Sequence, residues 1–488
     1  MVHDLRAITS LTLFLWFSLA TMAAPSRAID KIVNPITKAW LFRLALTDKA
    51  FSPYSLDNPK EFLSERSISR RERQNIAIDS TDLPVSPQYL KIIGQQNVQI
   101  LGQSKWNNSV LVITNDSSCV TALSSLPFVR KVKLVYTTPD SISPVKRSIL
   151  KEFLNPWDSV PSNLYGSTEK QIEMLNGIKL HEAGFRGKGK LIAVVDGGFM
   201  NVDRIKSFYN VRIYGTKDFV NPRVGEFYST SDHGTKTFSA MAVNRPHVYV
   251  GTAPDAAYLL ARSENVQTES SAEEDYWAEA VEWADSIGAD IISSSLGYHA
   301  FDDKRNDYCY RQQDGLTAFI SRTASRLAKK GIVLVNSAGN DGMRSWKRIN
   351  FPGDARDILT VGAVDANGEN ASFSSIGPTA DGRIKPDVMA QGSVTLLDTR
   401  TVEEFAHGHI DGFLNIPVDE LRERLGELDK SKPVYVICQS GLRSYIACRI
   451  LAGNGYNCYN FSGGFRFYDA VTHDRCLIQS ATACGMDQ

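Results

Sequence analysis

The chain has 488 residues, of which 43% are hydrophobic and 10% are aromatic. This length and composition predict two or three globular domains with sizeable cores. The 54 basic and 54 acidic residues cancel, so no electrostatic footprint indicates a nucleic acid or an anionic surface as a partner. Small molecules or peptides are the substrates that this balance favours.

Residues 1–24 have the pattern of a secretory signal peptide. A weakly basic N-terminal segment ends at Arg6, and residues 8–19 form an apolar run. Small residues at 21–24 provide a cleavage site before Pro25. A membrane anchor is the alternative, but the run is shorter than about 18 residues and no later segment qualifies. The sequence therefore predicts a secreted or periplasmic protein with no membrane segment after cleavage.

The seven cysteines do not have the pattern of a disulfide framework. Cys119 and Cys309 lie within the first 392 residues, and the others follow near the end: Cys438, Cys448, Cys458, Cys476 and Cys484. The Cys-containing tail at 471–488 is more typical of a reducing compartment, whereas the leader indicates an oxidising one. The two ends of the chain thus favour different locations.

Residues 38–136 predict a small α+β domain. Strands are expected at 39–46, 98–101, 110–114 and 129–135, and helices at 58–73 and 117–126. In position and pattern the region resembles the inhibitory propeptide of secreted subtilases. Residues 137–165, with four prolines, predict a linker.

Residues 166–392 alternate short apolar runs with amphipathic helices. Strands are expected at 191–195, 258–262, 291–294, 332–336 and 359–364, and helices at 271–287 and 316–330. Short buried strands separated by helices predict a parallel α/β sheet.

Three motifs of this region occur in an informative order. Asp196 ends a buried strand, His233 precedes a helix of small residues, and Asn340 ends the Ser-Ala-Gly-Asn sequence after another strand. The region resembles the subtilisin-like (S8) serine peptidases, and the resemblance implies that these residues are the catalytic Asp and His and the oxyanion-hole Asn. Residues 293–297 resemble the strand that lines the substrate cleft of that family.

The segment that carries the nucleophilic serine of this family is missing. Its landmark is a Gly-Thr-Ser sequence at a helix start, whereas residues 393–395 follow Gly392 into a predicted strand. Loss of the serine costs on the order of a millionfold in turnover, because the triad acts as a unit. We therefore predict that Asp196, His233 and Asn340 are vestigial.

Two structural expectations follow from the missing segment. In the family the serine lies on a central helix packed against the sheet, so its absence predicts either exposed apolar surface or another element in its place. Subtilase propeptides are normally removed by the enzyme itself. The propeptide-like segment is therefore expected to stay attached, unless another protease removes it.

The pattern restarts in residues 393–470, which predict a smaller α/β domain. Strands are expected at 394–397, 434–437 and 456–461, and helices from 403 and at 418–428 and 442–453. A Leu-Leu-Asp sequence at 396–398, Glu404, and the loop from Cys438 to Arg443 occur in the order of single-domain rhodaneses. The region resembles this family, and most closely the modules appended to coenzyme A disulfide reductases.

The loop of this domain predicts sulfur chemistry. Cys438 stands between a buried strand and a helix start, where backbone N–H groups and the helix end lower a thiol pKa. Gln439, Ser440, Gly441 and Leu442 form the loop, and Arg443 is expected to stabilise a thiolate, a persulfide or an anionic donor. Cys438 would accept a sulfane sulfur from a small donor and pass it to a thiol or cyanide.

Two alternatives exist for this loop. Rhodanese-like phosphatases resemble the fold but carry five residues between the cysteine and the arginine, whereas four stand here, and a tighter cradle favours sulfur. A buried structural cysteine would explain Cys438 alone but not its ordered neighbours. Asp398 and Arg400 are expected to orient loops, His407 and His409 to form a turn, and Cys448 to lie in the core. No metal-ligand spacing and no cofactor motif is found in the sequence.

The sequence thus predicts an α/β protein in which a truncated subtilisin-like domain follows a propeptide-like domain and precedes a rhodanese-like domain. The preferred function is a rhodanese-type sulfurtransferase. A secreted serine endopeptidase with an unforeseen serine and a peptide-binding pseudopeptidase are the alternatives. The rhodanese-like module also lacks the strand and helix that usually precede residue 396, so a genuine fusion and an accidental join both remain open.

Overall fold

The computed structural model describes residues 38–138 and 163–466, apart from 167, 222–226, 366–367, 372, 393–394, 411–412, 429–433, 457 and 462–463. The predicted signal peptide, nearly all of the predicted linker and the tail at 471–488 lie outside these residues. Within them, no helix combines the length and apolar character needed to cross a bilayer.

The first domain is a four-stranded antiparallel sheet with helices. Its strands, in the order β2-β3-β1-β4, are β1 (Trp40–Leu46), β2 (Gln99–Ser104), β3 (Ser109–Thr114) and β4 (Val129–Thr137). Its helices are α1 (Glu65–Arg73), α2 (Pro87–Gly94) and α3 (Cys119–Ser125). The expected strands are confirmed, but the helix predicted at 58–73 begins only at Glu65. The Ser64 side chain caps it by accepting a hydrogen bond from the Ser67 N–H, so the residues before Ser64 lie outside the helix.

The second domain is built on a seven-stranded parallel sheet, as predicted. Its strands are β5 (Leu191–Asp196), β6 (Arg212–Asp218), β9 (Ala257–Arg262), β10 (Ile291–Ser294), β11 (Val333–Ser337), β12 (Leu359–Val364) and β13 (Val388–Gln391), in the order β13-β12-β11-β10-β5-β9-β6. A short hairpin adds β7 (Asn244–Arg245) and β8 (Tyr249–Val250). The helices are α4 (Glu169–Met174), α5 (Gly177–Glu182), α6 (His233–Ala242), α7 (Glu273–Ile287) and α8 (Phe319–Leu327).

The two faces of this sheet are covered unequally. On one face, Trp277 of α7 and Leu327 of α8 belong to the same buried cluster as Ile292 and Leu334. On the other face, Phe238 of α6 belongs to a cluster with residues of β5 and β9. Parallel sheets normally have both faces buried, and β5 is buried at every position.

The face that α6 covers stays open farther along the sheet. Val333, Leu359 and Val388 are 54%, 37% and 42% exposed. Pairing of Val335 with Leu359, and of Val361 with Val388, places all three on the same face. The described residues therefore leave an exposed apolar face over β11–β13.

The third domain is built on a four-stranded parallel sheet. Its strands are β14 (Thr395–Asp398), β15 (Leu414–Asn415), β16 (Val434–Ile437) and β17 (Cys458–Asn460), in the order β15-β14-β16-β17. The helices are α9 (Val402–His407) and α10 (Leu442–Gly453). The strand β13, which directly precedes this domain, pairs with β12 and so belongs to the larger sheet.

One predicted helix of this domain is wrong. Residues 418–428 form turns and a single 3-10 helix, Leu425–Glu427, instead of an α-helix. Gly426 weakens helix formation, and the Tyr456 hydroxyl donates a hydrogen bond of 2.6 Å to the Leu425 carbonyl. The Leu425 carbonyl thus lies in a turn, where it accepts this side-chain hydrogen bond, and does not belong to the regular hydrogen-bond series of an α-helix.

Candidate active sites

The aspartate and histidine of the peptidase-like motifs form a hydrogen-bonded pair. Asp196 ends β5 and is fully buried, and His233 is the first residue of α6. The Asp196 Oδ1 atom lies 2.6 Å from His233 Nδ1 and accepts the Gly197 N–H at 2.7 Å, while Thr237 donates to Oδ2 at 2.9 Å. The hydrogen bond to Asp196 raises the pKa of His233 against the opposing effect of burial. This pair can accept a proton on the histidine and hold the resulting charge.

Asn340 lies in the same cleft, as the sequence predicted. A cleft of about 630 Å³ is lined by His233 from α6, by residues 295–297 after β10, and by Asn340 after β11. Gly339 has φ +104°, and a side chain there would clash with Asn350, so glycine is required for the turn that presents Asn340. The structure thus brings together the predicted aspartate, histidine and asparagine.

No serine described in this cleft is paired with the histidine. Ser231, Ser295 and Ser337 line it. Ser231 accepts a hydrogen bond from the His233 backbone N–H at 3.2 Å, and the imidazole ring has Asp196 as its hydrogen-bond partner. Among the described residues, no serine or threonine hydroxyl is hydrogen-bonded to the His233 ring.

A group of three glutamates beside this cleft was missed by the sequence analysis. The carboxylate oxygens of Glu264, Glu269 and Glu273 all lie within 4.8 Å of one another. Burial, followed by the charge of Asp196, raises the pKa of Glu264 to about 7; burial and then Glu264 raise that of Glu269 to about 8. The repeated glutamates after β9 were the available signal, but their spacing matches no common ligand motif. We call this group the glutamate cluster.

The first domain packs against the same helix that carries Glu273. Arg43 of β1 donates hydrogen bonds of 2.7 Å and 2.6 Å to Asp275 of α7 and contacts Glu274 at 3.3 Å. The Ser271 hydroxyl donates to the Val135 carbonyl of β4 at 3.2 Å. Buried ion pairs therefore join the propeptide-like domain to the peptidase-like domain.

The second candidate site lies where β16 meets α10. Cys438 is buried directly after β16, and its Sγ atom accepts hydrogen bonds from the Gly441 N–H at 3.1 Å and from the Ser444 hydroxyl at 3.3 Å. Burial acts to raise the pKa of Cys438, but hydrogen bonds from Ser444, Ser440 and Gly441 lower it overall. This loop stabilises a thiolate, which is the nucleophilic form of cysteine.

Backbone contacts fix the shape of this loop. Gly441 has φ +103° and caps α10. The N–H groups of Phe465 and Arg466 donate to the carbonyls of Cys438 and Gln439 at 2.6 Å and 3.0 Å. Residues near the C-terminal end of the described domain therefore hold the loop in place. Leu442, at the edge of the loop, is 68% exposed.

Arg443 has a partner other than the sulfur atom. Its guanidinium donates two hydrogen bonds to Glu404 of α9, at 2.6 Å and 2.8 Å. The Arg443 hydrogen bond lowers the pKa of Glu404 to about 2. Arg443 thus ties α10 to α9, and its charge reaches Cys438 through space, since the thiol group contributes to the raised pKa of Arg443.

The remaining predicted residues of this domain have structural contacts. Arg400 pairs with Asp398 at 2.7 Å and approaches the Gln439 side chain at 3.5 Å. The rings of His407 and His409 each contact the carbonyl four residues earlier, at 2.7 Å and 3.1 Å. His407 is the last residue of α9 instead of part of the expected turn, and the roles expected for Asp398 and Arg400 stay predictions.

Cys448 lies half-buried on α10, close to Cys458 of β17. The Cys458 thiol donates to the Cys448 carbonyl at 3.2 Å. Its thiol neighbour and burial raise the pKa of Cys448, so Cys448 is a poor nucleophile beside Cys438.

Comparisons with known families match three parts of the chain. Residues 39–149 match the peptidase S8 propeptide domain of Bacteroidota, residues 187–414 match the subtilase family, and residues 386–470 match the rhodanese-like domain. The last two matches overlap at residues 386–414.

Curated relatives resemble the peptidase-like part. Serine protease AprX of Bacillus subtilis is 32% identical over 236 residues, which cover 45% of this chain and 49% of the relative. Subtilisin NAT of Bacillus subtilis subsp. natto is 28% identical over 223 residues, covering 45% and 51%. The chain spans about half the length of these curated relatives.

Two solved structures resemble parts of the chain. Reduced Bacillus anthracis CoADR-RHD is 43% identical, covers 17% of this chain and 15% of that one, and has a TM-score of 0.17. A mutant of the epidermin leader peptide processing serine protease from Staphylococcus aureus is 15% identical, covers 73% and 76%, and has a TM-score of 0.44. On the family matches, the chain contains an S8 propeptide domain, a subtilase-family domain and a rhodanese-like domain, in that order.

Proposed function

We propose that this protein is a rhodanese-type sulfurtransferase that passes a sulfane sulfur through a persulfide on Cys438. The hydrogen bonds from Gly441 and Ser444 to the Cys438 sulfur carry the proposal. Hydrogen-bond donors that favour the thiolate are not needed by a structural cysteine, whereas a nucleophilic cysteine reacts as the thiolate and requires them.

The reaction has two balanced steps. The Cys438 thiolate attacks the outer sulfur of a donor such as thiosulfate; the S–S bond of the donor breaks, and sulfite leaves with its electron pair. The terminal sulfur of the persulfide is then attacked by a thiol or by cyanide. A thiol yields a persulfide of the acceptor and cyanide yields thiocyanate, and both regenerate the Cys438 thiolate.

The loop suits both states of this cycle. N–H and O–H donors that stabilise the thiolate also lie near the negative sulfur of the persulfide. The Arg443–Glu404 pair is close to neutral in net charge. It therefore orders the start of α10 without binding the anionic sulfur donor tightly. We infer that the donor and acceptor are small molecules, because the sulfur is buried.

For the subtilase-family domain we infer a loss of peptidase turnover. The Asp196–His233 pair is intact, but no described serine hydroxyl is hydrogen-bonded to the imidazole ring of His233. The exposed apolar face over β11–β13 supports the loss of the helix that carries the nucleophile. The cleft of about 630 Å³ has room for a peptide, and peptide binding without cleavage is the secondary role we infer.

We also infer that the protein is exported. The pattern of residues 1–24 supports this location, as does the match to an S8 propeptide domain, since propeptides of this kind accompany secreted subtilases.

Intact-mass spectrometry after incubation with thiosulfate tests the main proposal. We expect the protein to gain one sulfur atom and the Cys438→Ser variant to gain none. Cys448→Ser is the matched control and should gain the sulfur like the wild type, because that thiol has a raised pKa. An unchanged gain in Cys438→Ser would refute the assignment. Labelling of the chain by a fluorophosphonate probe would instead favour a serine peptidase.

A further inference from the structure

We propose that the glutamate cluster, Glu264, Glu269 and Glu273, is a calcium-binding site in the wall of the peptidase-like cleft. None of the sequence motifs assigns a role to these residues. They lie between β9 and the start of α7, in the segment that forms one side of the cleft with His233.

The spacing of the oxygen atoms fits a single cation. One oxygen of each of the three carboxylates lies within 4.8 Å of the other two. Oxygens that bind one Ca²⁺ at about 2.3–2.6 Å are at most about 5 Å apart. The three glutamates can therefore coordinate one ion without a large rearrangement.

A second observation is independent of the acidic side chains. The Tyr298 ring is 1% exposed, and its buried hydroxyl has no hydrogen-bond partner within the described chain. The charges that act on this hydroxyl most strongly are those of Glu264, Glu273 and Glu269. A buried hydroxyl without a partner is costly, and a water molecule on the ion or a reoriented carboxylate would satisfy it.

Within the described part of the chain, the glutamate cluster has no ion-pair partner, and His233 and Arg262 act on Glu264 only at longer range. Glu273 is fully buried, its Oε1 atom accepts the Ser270 N–H at 3.2 Å, and its Oε2 atom has no partner within the described chain. No ion pair of the described residues involves any of the three glutamates, whereas the adjacent Glu274 and Asp275 both contact Arg43. Buried carboxylates need a cation or a proton.

The ligand atoms favour calcium over other metals. All of them are oxygen, so the site is unsuited to zinc or copper. Mg²⁺ usually keeps several waters and binds through one or two carboxylates, so three carboxylates within reach of one ion favour Ca²⁺. A bound Ca²⁺ would fasten the cleft wall to α7, close to the contact between α7 and the propeptide-like domain.

Calcium titration of the full chain, first treated with EGTA, tests the site. We expect Ca²⁺ to raise the thermal midpoint of the wild type, and Tb³⁺ to show luminescence when tyrosine is excited, because Tyr298 lies beside the cluster. Glu273→Gln should weaken Ca²⁺ binding by about tenfold or more, since it removes one charged ligand. Without calcium, this variant should be at least as stable as the wild type, because it removes a buried charge.

Glu274→Gln is the matched control. Glu274 is the neighbouring buried residue on α7, but it contacts Arg43 and Tyr308 instead of the cluster, so this variant should keep the calcium response. If Glu273→Gln fails to fold, Glu269→Gln, at a half-buried position, replaces it in the same titration. The absence of a calcium response in the wild type, or an equal response in the glutamate cluster variants, would overturn the proposal.

Discussion

At the scale of single residues, the pKa of Cys438 is lowered by neutral hydrogen-bond donors rather than by the arginine of its loop. Arg443 is engaged by Glu404, whereas Ser444 and Gly441 donate directly to the sulfur. A lowered pKa means that the thiolate is populated at lower pH than for a free cysteine. The pH dependence of alkylation therefore reports on these donors.

We expect Ser444→Ala to raise the pKa of Cys438 by about one unit, because it removes a hydrogen bond to the charged form. Below both pKa values, alkylation by iodoacetamide would slow about tenfold, and the two rates would converge at high pH where both thiols are ionised. Rates measured across pH by mass spectrometry of the Cys438 peptide check this. Ser440→Ala keeps the backbone N–H donor at that position, so its alkylation rates should follow the wild-type pH profile. If the pKa of Cys438 shifted as much in Ser440→Ala as in Ser444→Ala, the Ser444 hydroxyl would not be the donor that lowers it.

Sequence patterns identified the candidate site residues better than they identified the hydrogen-bond partners of those residues. The resemblance to subtilisin-like peptidases grouped Asp196, His233 and Asn340. Two of them, Asp196 and Asn340, also follow parallel strands, whose carboxyl ends meet at one sheet edge. The pairing of Arg443 with Glu404 depends on the separation of α9 and α10, which no local pattern encodes. The glutamate cluster was missed for the same reason, since the loop after β9 determines its geometry.

At the scale of elements, α7 connects the first two domains through buried charges. Arg43 is 7% exposed and contacts both Asp275 and Glu274. Removing one partner of a buried ion pair leaves the other uncompensated, and this is more costly than losing an exposed pair.

We expect Arg43→Ala to lower the free energy of unfolding of the propeptide-like domain by about 3–5 kcal/mol. Arg66 provides the control because it also pairs across this interface, with Asp290, but its side chain is 41% exposed; Arg66→Ala should cost about 1 kcal/mol or less. Hydrogen exchange of β1–β4 in urea measures both. Equal effects of the two substitutions would mean that burial does not determine the strength of this contact.

Secondary structure was predictable where periodicity and boundary residues agreed. The helix expected at 442–453 matches α10, Leu442–Gly453, because Gly441 caps it at one end. At 418–428 the apolar spacing resembled a helix, but tertiary contacts from Tyr456 favoured turns. Tertiary contacts of this kind override weak helix propensity.

At the scale of the whole molecule, the exposed apolar face over β11–β13 lies next to the point where the chain passes from the subtilase-family domain into the rhodanese-like domain. The strand β13 completes the larger sheet and β14 begins the smaller one, and among the described residues no helix lies between these two strands in the chain. The sequence predicted exposed apolar surface from the missing motif, but its extent depended on which strands lie next to one another. Exposed apolar patches of this kind promote self-association.

Adjacent residues of β11 provide the sharpest test of this open face. Val333 is 54% exposed, whereas Leu334 is fully buried against α7 and α8. We expect Val333→Ala to change the free energy of unfolding by less than about 1 kcal/mol and to reduce binding of a hydrophobic dye. Leu334→Ala should cost about 2–5 kcal/mol, because it leaves a cavity in the core. Urea unfolding compares the two variants, and a cost above about 2 kcal/mol for Val333→Ala would mean that this face is covered in solution.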